Sequence, residues 1–87
     1  MEWNEFLNQQ VVVDVEAMYV FVGTLTAVSD KSLTLENVDV HDLRDSKTTR
    51  EVYVHDSRIH GVRANRKKTF VAREQVVSLS LLSDVID

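Results

Sequence analysis

Hydrophobic residues recur at every second position along much of this chain, and the clearest run is YVFVGTLTAVSDKSLTL, residues 19–35. Tyr19, Phe21, Leu25, Val28, Leu33 and Leu35 carry the apolar beat, and the polar cluster Ser29-Asp30-Lys31-Ser32 interrupts it. The pattern predicts two strands that meet at a polar tip. Gly23 falls inside the first of them, where a glycine is costly and marks a bulge, a bend or a close backbone approach. Bending is the plainer reading of Gly23; contact between its backbone and a ligand is the other.

The rest of the chain arranges itself around this hairpin. Trp3, Phe6 and Leu7 sit at helical spacing within Glu2 to Gln9, a short helix that must dock to be stable. Gln10 to Val15 alternates Val11, Val13 and Val15 against Gln10, Val12 and Asp14, a half-buried strand, and Glu16-Ala17-Met18 turns into the next. After Leu35 the apolar phase slips at Glu36-Asn37 to Val38 and Val40, as at a β-bulge. Residues 41–50, HDLRDSKTTR, read as an exposed loop or hairpin tip. Glu51 to Val54 alternates again through Val52 and Val54, and Arg58 to Val62 is a short element of no assigned type. The basic segment RANRKK, residues 63–68, follows as a loop. Thr69 to Ala72 reads as a strand, Arg73-Glu74-Gln75 as a tight turn, and Val76 to Leu82 as a last strand with Val77, Leu79 and Leu81 on one face. The SDVID tail is expected to fray. A short helix and about five strands, none able to bury its apolar face alone, predict a mainly β fold: a curled antiparallel sheet or small open barrel.

Composition narrows the function classes. Eighty-seven residues, 44% of them apolar and without a long apolar run, fit one soluble domain with a small core. There is no cysteine, hence no disulfide framework or thiolate metal site. The MEWNEFLNQQ start lacks the basic flank and apolar core of a secretory signal, and no stretch is long enough to span a membrane, so a cytoplasmic protein is expected. A formal net charge of −4 speaks against bulk capture of nucleic acid and leaves local patches open. His41, His55 and His60 match no metal-ligand spacing, and nothing pairs a nucleophile with a base. Neither enzyme, cofactor nor metal site is expected.

FLNQQVVVDVEAMYVFVGTLTAV, residues 6–28, resembles the start of Sm and Sm-like proteins without a gap, with Phe21, Gly23 and Leu25 as the aromatic-x-Gly-x-Leu signature. Asp30, Leu33 and Thr34 fit the continuation of that first motif, with one extra residue near Ser29. Val71-Ala72-Arg73-Glu74-Gln75-Val76 resembles the second motif, and VVSLSL the last strand. The resemblance spans nearly the whole chain except residues 41–68, an extended variable loop or hairpin region. It implies an N-terminal helix over a strongly bent five-stranded antiparallel sheet, with the fourth strand pairing to a neighbour's fifth strand in a hexameric or heptameric ring. Val76 to Leu82 contains no proline or charge that would blunt such an edge.

The same resemblance implies that single-stranded RNA, with uridine the preferred base, meets the ring at its central hole. Position by position, the family's base-stacking residue becomes Ser32, its uracil-reading Asn becomes Thr34, its Arg becomes Ala72 and the following Gly becomes Arg73. All four positions therefore depart from the family's, and the stacking ring, the Asn and the Arg are missing. Lys31, Ser32, Thr34, Arg73 and Gln75 remain as the candidate RNA-binding set, and Arg63, Arg66, Lys67 and Lys68 as a basic loop able to track phosphates. The first function expected is an RNA-binding homo-oligomeric ring in RNA processing or turnover. The alternative is a ring-forming structural or adaptor module with little RNA binding.

Overall fold

The structure is a computed structural model that describes residues 2–45 and 49–86. A short 3-10 helix, Glu2–Phe6, leads into β1 (Gln10–Val15), β2 (Tyr19–Val28) and β3 (Ser32–Asp42). Helix α1 (Arg50–His60) comes next, followed by β4 (Arg66–Ala72) and β5 (Val76–Leu81). The strands make one antiparallel sheet in the order β4-β3-β2-β1-β5, the mainly β architecture with a short N-terminal helix that the sequence predicts.

The sheet bends where its ladders slip. Between Val22 and Thr24 of β2, the partners on β3 pass from Asp39 to Glu36, so β3 carries one extra residue opposite Gly23. Asn37 absorbs it with φ 51°, a left-handed conformation that Asn tolerates better than most residues. A Cβ on Gly23 would lie 3.1 Å from the Val38 Cα, so Gly23 lets β3 cross β2 closely at the bend. A second slip, at Thr26, puts the extra residue on β2.

Both faces of the sheet are covered. Val11, Val13, Val15, Leu25, Leu33, Leu35, Val38 and Val71 form the larger cluster, closed by Trp3, Phe6 and Leu7 from the N-terminal segment. Val12, Val20 and Val22 point the other way and meet Val54 of α1 and Leu82. Buried on both faces, β1 and the start of β2 lack a clean alternation of apolar and polar residues.

Residues 41–68 differ most from expectation. His41 and Asp42 belong to β3, and 46–48 of the expected loop lie outside the described residues. Residues 51–54, read as a strand, are helical. The Thr49 side chain accepts from the Val52 N–H, and Gly61 closes α1 with its N–H donating to the Ser57 carbonyl. At helical spacing Val54 and Ser57 turn inward while Val52 faces out, so the alternation of Val52 and Val54 was a coincidence of two periods.

RANRKK is not a loop throughout: β4 begins at Arg66, so Arg66, Lys67 and Lys68 are strand residues and Arg63 precedes them. Asn65 prepares that entry, its side chain accepting from the Val40 N–H and donating to the Val40 carbonyl. On β5, Val77 is the extra residue at a slip against Asp14 and Val15; it points outward, and Val76 packs with Leu79 and Leu81 instead. The tail also differs, since Leu82–Asp84 forms a 3-10 turn that buries Leu82 against α1 with Val85 beside it.

Polar ties hold α1 to the sheet. Arg50 pairs with Asp14 at 3.1 Å, and Asp14 also accepts from the Ser78 hydroxyl, joining α1, β1 and β5. Tyr53 donates to Asp39 at 2.5 Å and stacks on His41 with ring centroids 3.8 Å apart. Burial, and then the Asp39 carboxylate, push the Tyr53 phenol well above its ordinary range.

Candidate nucleic-acid interface at the converging turns

Two turns meet at one end of the sheet: the tip between β2 and β3, and the 3-10 turn Arg73–Gln75 between β4 and β5. The tip is built around Ser29, whose hydroxyl accepts from the backbone N–H groups of Lys31 and Ser32, as a short polar side chain does in a tight turn. Arg73 ties the turns together. Its backbone N–H donates to the Lys31 carbonyl at 2.9 Å, and its guanidinium donates to the Ser29 carbonyl at 2.9 Å. The same guanidinium lies over the Trp3 ring, 4.4 Å from its centroid.

The five residues expected to bind RNA do not form one set. Lys31, Ser32 and Arg73 come together: Ser32 faces Ala72 across the ladder, and Lys31 is exposed at the tip. Gln75 is exposed at the far end of its turn, with its carbonyl accepting from the Glu16 N–H. Thr34 lies farther along β3, opposite Phe70 and half-buried. Beside the tip is an open hollow of about 320 Å³ lined by Asp30, Lys31, Ala72 and Glu74. It holds two carboxylates and one ammonium, which disfavours a phosphate. The motifs contain Asp30 and Glu74, but no local pattern announces that their carboxylates flank Lys31 or that Trp3 lies under Arg73.

Among solved structures the chain is similar to the structure of a Pyrococcus abyssii Sm protein in complex with a uridine heptamer. The two share 15% sequence identity, 90% of this chain and 89% of that chain are covered, and the TM-score is 0.61. The fold is Sm-like. Two further similarities are to a chain in the crystal structure of the NatC complex bound to CoA (17% identity, 93% of this chain and 84% of that one, TM-score 0.60) and to a chain in the NatC complex bound to Gag peptide and CoA (18% identity, 90% and 87%, TM-score 0.59). No protein-family model and no curated protein matches the chain. At these identities the likeness is one of fold. The Sm-like fold brings the two turns together; which side chains it presents there is particular to this chain.

The histidines are dispersed, with His41 on β3 and His55 and His60 on α1. Among the described residues no group of three or more His, Cys, Asp or Glu could hold a metal ion, and no helix is long and apolar enough to cross a membrane.

Proposed function

We propose that copies of this chain assemble through β4 and β5 into a ring of six or seven subunits that receives single-stranded RNA where the turns converge. The observation that carries the reading is the pair of open edges. β4 and β5 are the outermost strands, and each exposes an apolar side chain: Phe70 at 68% and Val77 at 65%. Open edges bearing exposed apolar groups favour pairing with another chain, and heterologous pairing that closes gives a ring. RNA meets Lys31 at the turns beside the opposing charge of Asp30 and Glu74, so binding there is weak, and it has little selectivity for uridine because Ser32 has no ring to stack on a base.

A second reading is a ring-forming adaptor with little RNA binding. It is favoured by Asp30 and Glu74 beside Lys31, and by the similar chain found within the NatC complex. Native mass spectrometry with a uridine-rich oligonucleotide at low and moderate salt separates the two. A six- or seven-fold mass carrying the oligonucleotide supports the first reading, and the same multiple without it supports the adaptor. A monomer overturns the ring. Phe70→Glu is expected to reduce the parent assembly to single chains.

A further inference from the structure

Residues 58–68, RIHGVRANRKK, contain half of the chain's ten lysines and arginines and none of its fourteen acids. The remainder of the chain is correspondingly acidic. The segment comprises the last turn of α1, a linker and the start of β4, and every residue in it except Val62 is exposed.

Elsewhere the arginines are engaged. Arg44 pairs with Asp42, Arg50 with Asp14, and Arg73 stacks on Trp3. By contrast, Arg58, Arg63, Arg66, Lys67 and Lys68 enter no ion pair among the described residues. Acids lie near some of them, Glu36 opposite Lys68 in the ladder and Asp39 and Asp56 around the hollow that Arg63 borders, without closing on the cations. Structural roles account for part of the band. Lysine protects an edge strand, which covers Lys67 and Lys68, and a cation suits a helix C-terminus, which covers Arg58. Arg66, also on β4, shares the edge role and donates to the Asn65 carbonyl; neither role explains Arg63.

We infer that Arg58, Arg63, Arg66 and Lys68, with Lys67 flanking them on the other face of β4, form a second binding surface, for the phosphate backbone of single-stranded nucleic acid and separate from the converging turns. Arginine forks bind phosphate oxygens in pairs, and alternation along β4 sends Arg66 and Lys68 to one face and Lys67 to the other. The band lies at the start of β4 and the turns at its end, about 20 Å away at the rise of a strand. One strand of RNA can thus be held at the band while its bases pass the turns. No aromatic residue is interleaved in the segment, so the band grips without reading sequence. The identity of the ligand rests on the RNA reading above, whereas the surface itself needs no ring.

The test is fluorescence anisotropy of the intact protein with labelled single-stranded RNA 20-mers, one uridine-rich and one of mixed sequence, across a salt series. The triple variant Arg58→Gln, Arg63→Gln, Arg66→Gln is expected to lower affinity about tenfold or more, equally for both RNAs, and to flatten the log–log salt slope by about 2. Circular dichroism confirms that the variant is folded, and Lys67→Gln with Lys68→Gln serves as an independent pair. Loss of binding in Lys31→Gln with no loss in the band variants overturns this surface and leaves RNA at the turns. A parent that binds neither RNA overturns both, as does a parent that binds only phosphatidylserine vesicles. Band-dependent binding by a monomer upholds the surface and overturns the ring.

Discussion

The guanidinium of Arg73 lies 4.4 Å from the centroid of the Trp3 ring, so the N-terminal segment is fastened to the turn between β4 and β5. Trp3 is the chain's single tryptophan, and its emission therefore reports on this contact. Arg73→Ala is expected to shift that emission to the red. It should also cost about 1–3 kcal/mol in a urea melt, through loss of the cation–π contact and of the charged hydrogen bond to Ser29. An unchanged spectrum would show that the stack does not persist in solution.

The two glycines should fail for different reasons. Gly23→Ala meets Val38 at 3.1 Å and the Glu36 carbonyl at 3.2 Å, and overpacking of this kind costs about 1–3 kcal/mol. Gly61 has open space around it but sits at φ 88°, ψ 165°, a region almost confined to glycine, and Gly61→Ala costs a similar amount through strain. Thermal melts distinguish the two when Val38→Ala is added. Truncating Val38 should recover part of the Gly23→Ala loss and none of the Gly61→Ala loss.

Tyr53 gives the fold an alkaline sensitivity. Its phenol is held above the ordinary value of about 10 by burial and by the nearby Asp39 carboxylate. The stabilisation is therefore complete below pH 10 and declines above it, as the unfolded chain ionises while the folded chain keeps its proton. Urea stability measured from pH 8 to pH 11 should fall more steeply for the parent than for Tyr53→Phe. Parallel curves would rule out Tyr53 as the group responsible.

Asp14 joins three elements at one carboxylate, accepting from Arg50 of α1 and Ser78 of β5. Asp14→Ala leaves Arg50 partly buried without its partner, at a cost of about 1–2 kcal/mol given its remaining exposure to solvent. Amide exchange should rise first across residues 50–60, and uniform protection along the chain would place the helix's anchorage in Val54 and Tyr53 alone.

The sheet was legible in sequence because each strand of the YVFVGTLTAVSDKSLTL hairpin carries its own apolar beat, and the slip at Glu36-Asn37 is visible as a change of phase. The helix was not, since its β-branched Val52 and Val54 imitate a strand. Its signals were present nonetheless: Thr49 before the helix, Glu51 in the first turn, Arg58 and His60 in the last, Gly61 after it. So was the need for a cover, because Val12, Val20 and Val22 make a second apolar face that a one-sided sheet would leave wet. At the candidate site, proximity of the two motif turns was foreseeable. The capture of Arg73 by Trp3 was not, because it joins the two ends of the chain.

β1 hydrogen-bonds to β2 on one side and to β5 on the other. During synthesis the first four strands can pair in order through their own connections, while the outer edge of β1 waits for residues 76–81 to emerge. Pairing across such a sequence separation is slow, and an unfilled edge is open to mispairing while it lasts. β5 fills that edge on one side and presents a fresh one on the other. Under the proposed ring, the last step of folding and the first step of assembly belong to the same strand.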